Sequence, residues 1–372
     1  MADAEVIPLG TRGRPGRGTS RRGTPSSAAR SLAPKVRPAR SDRRVDAPVV
    51  QHPRAGEPDE APSFDPDAMF VERPGGGQGF DVAAAIAAAA REVFGDDWER
   101  RLAELLAFAR RRLTGDYAVD EFGFDPELTS TFTMAALRPL AERWFRVDVR
   151  GLDNIPDTGG ALVVANHSGT VPLDALMTGL VVHDHAQRHL RMLGADLVFR
   201  LPFVGQLARR AGATLACTED AERMLGQGEL VGVWPEGFKG IGKPFKERYT
   251  LQRFGRGGFV SAALRTRVPI VPCSIVGAEE IYPLVGNLPT LARLLGVPYI
   301  PVTPFFPWLG PLGMIPLPSK WLIEFGEPIR TDAYAVDAAD EPMTVFNLTD
   351  QVRETIQQTL YSLLMQRRNV FF

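Results

Sequence analysis

The sequence predicts an α/β fold, with a mixed sheet flanked by helices, a helical N-terminal subdomain and a disordered N-terminal tail. Two observations predict this arrangement. Short, almost wholly apolar runs recur after residue 144, as in strands that are buried on both faces. Stretches with apolar residues at a spacing near 3.6 alternate with these runs, as helices alternate with strands in layered domains. A chain of 372 residues can bury a large core around such a sheet.

Residues 1–76 form the predicted tail, which is rich in Arg, Pro, Gly, Ser and Ala and buries too little apolar surface to offset the entropy of ordering. Twelve of the 43 Lys and Arg residues lie between positions 12 and 54, against two of the 44 Asp and Glu residues, which leaves 31 basic and 42 acidic residues elsewhere. The remainder is net acidic, so no nucleic-acid partner is expected. Segment 12–54 fits either contact with an anionic membrane surface or a solvated tail without a partner.

Residues 77–125 are predicted to form the helical subdomain. AAAIAAAAREVF and, after Gly95, DDWERRLAELLAFARRRL have helical periodicity, and Asp96 is placed to cap the second helix. Their Ala-rich and Arg-rich faces fit both packing on a protein domain and lying on lipid. A third helix is expected from about Leu128 to Trp144, with Pro139 inside it as a candidate kink.

Residues 126–335 are the predicted α/β domain, and 336–372 are expected to form a C-terminal amphipathic helix that packs on it. The predicted strands are FRVDVRGL, ALVVAN, GELVGVW, PIVPCSIVG and WLIEFG, and the predicted helices between them are PLDALMTGLV, PFVGQLARRAG, DAERMLGQG and RGGFVSAALRTR. No window reaches the ~18 apolar residues of a membrane span, and no secretory signal is visible. With only two Cys residues, a reducing, cytoplasmic location is expected.

One segment within this domain, VPYIPVTPFFPWLGPLGMIPLPSKW at 297–321, fits neither a regular helix nor a solvated loop. Its seven prolines forbid a regular helix. Its Phe, Trp and Leu residues are either buried against the core or exposed at a membrane boundary, which aromatic residues favour.

The densest chemical signal is LVVANHSGTVPLDALM at 162–177, where a strand delivers His167 to its end and Asp174 opens a helix. In one interpretation Asp174 orients the imidazole of His167, which then removes a proton from a hydroxyl group. In the other, His167 is a buried histidine and Asp174 a helix cap.

A second loop, VWPEGFKGIGKPFKE at 233–247, offers glycines and three lysines and is typical of an anion site. Its spacing approaches that of a nucleotide P-loop, but Pro244 replaces the hydroxyl residue that holds Mg²⁺. No G-x-S-x-G elbow of a serine hydrolase occurs in the chain. Glu279 and Glu280, after a later strand, are expected to pair with surface arginines.

These blocks resemble the lysophospholipid and glycerolipid acyltransferase family. NHSGTVPLD is similar to its His-to-Asp motif, WPEGFKG to its Pro-Glu-Gly block, and VPIVPCSIVG at 268–277 to its Val-Pro strand. The resemblance spans roughly residues 126–335 and implies that family's mixed sheet. Here six residues separate His167 from Asp174, as in an atypical branch, whereas most members have four.

The resemblance implies transfer of a fatty acyl group from acyl-CoA or acyl-carrier protein to a glycerolipid or related lipid hydroxyl. His167 is then the general base and Asp174 its partner, without a metal or resident cofactor. The implied localisation is peripheral, at the inner face of the membrane, through segment 297–321. The implied substrate-binding residues are Asn166, Ser168, Gly169, Glu236, Gly237, Phe238, Lys239, Lys243 and Arg256.

The acceptor stays open. Lys239 stands where the family usually has an arginine, and Thr218 stands where phosphate-acceptor members carry another. Residues 253–282 are similar to the branch that acylates diacylglycerol or long-chain alcohols. Thioester hydrolysis, synthesis of wax or other esters, and a non-catalytic lipid-binding role on the same fold are the alternatives.

Overall fold

The computed structural model describes residues 98–169, 171–255, 257–297, 299–335, 337–367 and 369–371. These residues belong to two compact units, one ending at Tyr117 and the other beginning at Ala118. The described part of the first unit holds one helix, α1 (Trp98–Thr114). Helix α1 confirms the second predicted N-terminal helix. The tail 1–76, the first predicted helix and Asp96 lie outside the described residues.

The second unit opens with a helix of alternating α and π segments, α2, over 126–144. The carboxylate of Asp125 caps it by accepting a hydrogen bond from the backbone N–H of Leu128 at 2.9 Å. Pro139 lies inside the helix without ending it. Proline has no N–H to donate, and the helix continues after it as a wider, π-helical turn. The segments are α-helical over Pro126–Leu128 and Met134–Pro139, and π-helical over Thr129–Thr133 and Leu140–Trp144.

Seven strands form the central sheet. In chain order they are β1 (Asp148–Arg150), β2 (Ala161–Ala165), β3 (Leu190–Gly194), β4 (Thr214–Leu215), β5 (Leu230–Val233), β6 (Ile270–Val276) and β9 (Leu322–Phe325), while β7 (Gly286–Asn287) and β8 (Pro301–Val302) form a separate hairpin. Their spatial order is β1-β9-β6-β2-β5-β3-β4. The strands from β6 to β4 are parallel, and β9 is antiparallel to β6. This mostly parallel mixed sheet confirms the predicted fold class.

Helices cover both faces of the sheet. After α2 they are α3 (Leu173–Ala186), α4 (Asp196–Arg200), α5 (Val204–Arg210), α6 (Thr218–Gly226), α7 (Phe238–Ile241), α8 (Gly258–Thr266), α9 (Pro289–Leu295) and α10 (Pro342–Gln366). One apolar core lies between the sheet and helices α2 and α3, and the other between the sheet and helices α6, α8 and α10. On β2, Val163 and Ala165 face the first core, whereas Leu162 and Val164 face the second. Burial on both faces explains why this strand is wholly apolar.

The sequence prediction was wrong about two regions near β3. Strand β3 itself was not predicted, because Arg191 interrupts its apolar run. That arginine is buried, 2.7 Å from Asp120 and stacked over the ring of Phe124. Helix α3 is longer than predicted and includes His183 and His185 in its last turn.

The proline-rich segment 297–321 exposes large apolar side chains. It contains β8 and a short 3₁₀ helix (Gly310–Met314). Trp308 is 75% exposed and Leu312 67%, so burial of the whole segment against the core is wrong. Within the part of the chain that the structure describes, no helix has both the length and the apolar character to cross a bilayer.

Candidate active site

The candidate site lies where three adjacent parallel strands end. Strands β6, β2 and β5 are neighbours, so their carboxyl ends meet at one edge of the sheet. Residues 166–168 follow β2, residues 234–237 follow β5, and residues 277–280 follow β6. Ligands of open parallel sheets bind at this edge, outside the carboxyl ends of the strands.

His167 and Asp174 are in direct contact. Nδ1 of His167 lies 2.7 Å from Oδ2 of Asp174, whose side chain is fully buried, whereas the imidazole is 16% exposed. The carboxylate also accepts hydrogen bonds from the backbone N–H groups of Ser168 and Ala175, both at 2.9 Å. An ionised carboxylate only accepts, so Nδ1 carries the proton and Nε2 keeps its lone pair. The pair therefore has the geometry of an oriented general base.

The six residues between the pair do not keep Asp174 away. Gly169 has a left-handed backbone (φ 78°), and the N–H of Leu173 donates to the carbonyl of Val171 at 2.7 Å. A turn thus brings the two residues together, and Asp174 sits in the first turn of α3. A carboxylate there is stabilised by the partial positive charge of the helix N-terminus.

The side chain of Asn166 joins the end of β2 to β6 by hydrogen bonds. Its Nδ2 donates to the carbonyl of Ile275 at 2.9 Å, and its Oδ1 accepts from the N–H of Ile275 at 2.8 Å. The side chain is completely buried. The amide is thus engaged within the sheet, and the implied substrate contact at Asn166 stays a prediction.

Glu236 supports the main chain of His167. Its Oε1 accepts a hydrogen bond from the backbone N–H of His167 at 3.0 Å, and its Oε2 accepts one from the N–H of Gln252 at 2.7 Å. The carboxylate is fully buried. A Cβ on Gly240 would lie 2.7 Å from Cβ of Glu236 and 3.0 Å from the carbonyl oxygen of His167, so this close approach requires glycine. Glu236 thus supports the main chain of the site, and its implied contact with substrate stays a prediction.

Lys243 also lies elsewhere than the implied acceptor contact. Its ammonium is 2% exposed and lies 3.4 Å from Oε2 of Glu236 and 3.1 Å from Oε1 of Glu279. It donates a further hydrogen bond to the carbonyl of Thr250 at 3.0 Å. The structure thus places the ammonium among acceptors of the protein itself, and the binding of a substrate phosphate by Lys243 stays a prediction.

The remaining predicted residues divide into buried and exposed groups. Ser168 is buried beside the pair, and Gly169 forms the turn after it. Phe238 and Lys239 are exposed just after Gly237, in the turn that carries Glu236. Arg256 lies outside the described residues.

Sequence reasoning missed Glu279 as part of this network. It was expected at the surface, but its side chain is 6% exposed. Burial and the nearby carboxylate of Glu236 raise its pKa to about 7, although Lys243 opposes the shift. Glu280 is buried as well and pairs with Arg367 at 2.7 Å. The signal that could have found Glu279 and Glu280 was their place in the sequence, because both follow shortly after the end of β6, as His167 follows shortly after the end of β2.

The described histidines at the end of α3 and just after it do not form a metal site. Nδ1 of His183 lies 2.8 Å from Oδ1 of Asp184, and burial lowers the pKa of His189 to about 4. Among the described residues, no group of three or more His, Cys, Asp or Glu side chains is arranged to hold a metal ion.

Comparison with known proteins relates this part of the chain to one protein family. The profile of the family described as Acyltransferase matches residues 146–276, which include the site. An uncharacterized protein of Mycobacterium tuberculosis is 59% identical over 292 residues, covering 78% of this chain and 82% of that protein. The "DGAT1/2-independent enzyme synthesizing storage lipids" of Gallus gallus is 27% identical over 191 residues, covering 51% and 54%.

Among solved structures, the 1-acyl-sn-glycerophosphate (LPA) acyltransferase PlsC from Thermotoga maritima is similar at a TM-score of 0.42 and 19% identity, covering 63% of this chain and 81% of that one. The family profile covers the strand ends that carry His167 and Glu236. Residues 146–276 of this chain thus match the acyltransferase family, and the chain belongs to one family with the uncharacterized protein of Mycobacterium tuberculosis.

Proposed function

We propose that this protein transfers a fatty acyl group from a thioester donor, acyl-CoA or acyl-carrier protein, to the hydroxyl group of a lipid. The contact of 2.7 Å between Nδ1 of His167 and Oδ2 of Asp174 carries the proposal. It holds a partly exposed imidazole at the sheet edge where ligands of such folds bind. Membership of the acyltransferase family supports the reaction class.

In the proposed reaction, Nε2 of His167 accepts the proton of the acceptor hydroxyl as its oxygen attacks the thioester carbonyl carbon. The new C–O bond forms and the C–S bond breaks. The thiolate then leaves and takes the proton from the imidazolium, so the products are an ester and a free thiol. Asp174 stabilises the imidazolium while it exists. A thioester is already activated, so an oriented base and an aligned alcohol suffice without a covalent acyl-enzyme.

We propose that the acceptor is a neutral lipid alcohol such as diacylglycerol. The ammonium of Lys243 is buried against two carboxylates and is not offered to a phosphate. The Gallus gallus relative, an enzyme named for the synthesis of storage lipids, supports the same class.

We further propose that segment 297–321 attaches the protein to a membrane surface. Trp308, Leu309 and Leu312 are exposed next to one another in sequence, and aromatic and aliphatic side chains of this kind favour the interface of a bilayer. The segment follows the same strand, β6, whose end contributes Glu279 to the site network.

An acceptor panel tests the proposed reaction. Purified protein is given one labelled long-chain acyl-CoA and vesicles that carry diacylglycerol, lysophosphatidate, a long-chain alcohol or no acceptor. Labelled triacylglycerol is the expected product. Transfer to lysophosphatidate alone would contradict the neutral acceptor. Release of labelled fatty acid at one rate in every arm would identify a thioesterase instead.

A further inference from the structure

Buried charges join the three strand ends that form the site. Glu236 follows β5 and holds the main chain after β2, through the N–H of His167. Glu279 follows β6 and accepts a hydrogen bond from the N–H of Tyr249 at 3.0 Å. The ammonium of Lys243 lies between these two carboxylates. A single side chain therefore connects the turns after β5 and β6, and through Glu236 it reaches the turn after β2.

Every polar atom of this cluster has a partner that fixes its position. Oε1 of Glu236 binds the N–H of His167, and Oε2 lies near both the N–H of Gln252 and Nζ of Lys243. Nζ of Lys243 also contacts Oε1 of Glu279 and the carbonyl of Thr250. Partners on several sides hold a buried carboxylate in one orientation, and removing one of them leaves an uncompensated buried charge.

The burial of the cluster makes the cation essential to its charge state. The side chains of Lys243, Glu236 and Glu279 are 2%, 0% and 6% exposed. Two carboxylates in such a place cannot both ionise without a nearby cation, because desolvation and mutual repulsion favour protonation. Burial and the nearby carboxylate of Glu236 raise the pKa of Glu279 to about 7, although Lys243 opposes the shift.

We propose that Lys243 is a positioning residue: it holds the carboxylate of Glu236 in place, so that the main chain of His167 is held where the imidazole meets Asp174. Lys243 touches neither the imidazole nor a substrate in this role and acts through one carboxylate. The inference rests on the proposed acyl transfer, with His167 as its base.

The test replaces Lys243 by Met, which is one atom shorter and removes the charge. Glu236 then loses one of its partners, and a buried carboxylate is left uncompensated. It holds the N–H of His167 less firmly, and we expect kcat to fall ~10- to 100-fold with KM nearly unchanged, as for a small misplacement of a catalytic group.

Two further variants serve as the rescue and the control of this experiment. Lys243→Arg keeps a cation and should restore a large part of kcat, although its bulk differs. Lys246→Met, at an exposed lysine of the same loop, is the matched control and should behave as the native protein. If Lys243→Met does not fold by circular dichroism, Lys243→Gln, which keeps two donors but no charge, takes its place with the same expectations.

A second readout separates this inference from the proposed function. The imidazole signals of His167 are followed by NMR as pH changes, with assignment by His167→Ala. Loss of charge at Lys243 should shift these signals, whether or not acyl transfer occurs. A native kcat, or a loss of kcat with unchanged imidazole signals, would overturn the positioning role. Absence of acyl transfer in the native protein would instead contradict the proposed function, while the NMR result still decides the role of Lys243.

Discussion

The backbone N–H of His167 donates a hydrogen bond to Oε1 of Glu236 at 3.0 Å, and this contact ties the ends of two neighbouring strands together. The imidazole of the same residue meets Asp174 at 2.7 Å. Separate contacts thus position the main chain and the imidazole ring of His167. Accurate placement of a base relative to two substrates is the main requirement of a reaction that needs no covalent intermediate.

The first prediction concerns the orientation of the imidazole. Asp174→Asn keeps the size of the side chain but removes the charge and presents an amide to Nδ1. The wrong tautomer of His167 is then favoured, and we expect kcat for acyl transfer to fall by about 10³-fold with little change in KM. Steady-state kinetics with labelled acyl-CoA measure both constants. A variant that retains a tenth or more of native kcat would contradict the orienting role.

The second prediction concerns the close approach at Gly240. A methyl group there would lie 2.7 Å from Cβ of Glu236 and 3.0 Å from the carbonyl oxygen of His167. Gly240→Ala should therefore lower the free energy of unfolding by about 1–3 kcal/mol, and kcat should fall as well. Gly226→Ala is the matched control, since a Cβ at Gly226 meets nothing within 4 Å. Equal urea unfolding curves for the two variants would rule out the crowding at Gly240.

The third prediction concerns pH and Glu279. Its pKa is raised in the folded protein from the usual 4.5 to about 7, so the folded state binds this proton more tightly than the unfolded state. Stability from this group is therefore greatest at low pH and is lost as pH rises from about 4.5 to about 7.

Glu279→Gln should remove that loss. Urea unfolding of the native protein and the variant between about pH 5 and about pH 8 should show the variant gaining stability relative to the native protein as pH rises. Glu247→Gln, at an exposed glutamate, is the control. A stability difference between native and Glu279→Gln that stays constant with pH would show that the pKa of Glu279 is not raised.

The fourth prediction concerns attachment to lipid. Trp308→Glu combined with Leu312→Glu places two charges in the exposed part of segment 297–321, and burial of charge at an interface is unfavourable. Binding to vesicles that contain anionic lipid should fall at least tenfold in a flotation assay, given the ~1.5–3 kcal/mol that each buried apolar side chain contributes. Tyr361→Glu alters an exposed aromatic residue of helix α10 and should bind as the native protein. Unchanged flotation of the double variant would contradict attachment through this segment.

Several parts of the fold could be predicted from the sequence because their patterns are local. The apolar runs of β2 and β6 are buried on both faces, so composition alone indicated them. Strand β3 could not be found in this way. Its Arg191 is compensated by Asp120 and by the ring of Phe124, partners that are distant in sequence.

In the candidate site, too, local sequence patterns predicted some contacts and could not predict those that depend on the fold. The pairing of His167 with Asp174 was indicated by a strand, a loop and a helix start within one short segment. The buried positions of Lys243 and Glu279 depend on which strands are neighbours in the sheet, which no local pattern encodes. A lysine in a glycine-rich loop therefore suggested an anion ligand, and only the fold shows that its anions are the protein's own carboxylates.

The rate of transfer of a labelled acyl group from acyl-CoA to diacylglycerol in vesicles, by native protein and by folded His167→Ala, tests the central claim most directly. We expect the native protein to form labelled triacylglycerol and the variant to lose at least ~10³-fold of that rate, since the imidazole is the base. Equal rates for the two proteins would contradict the account.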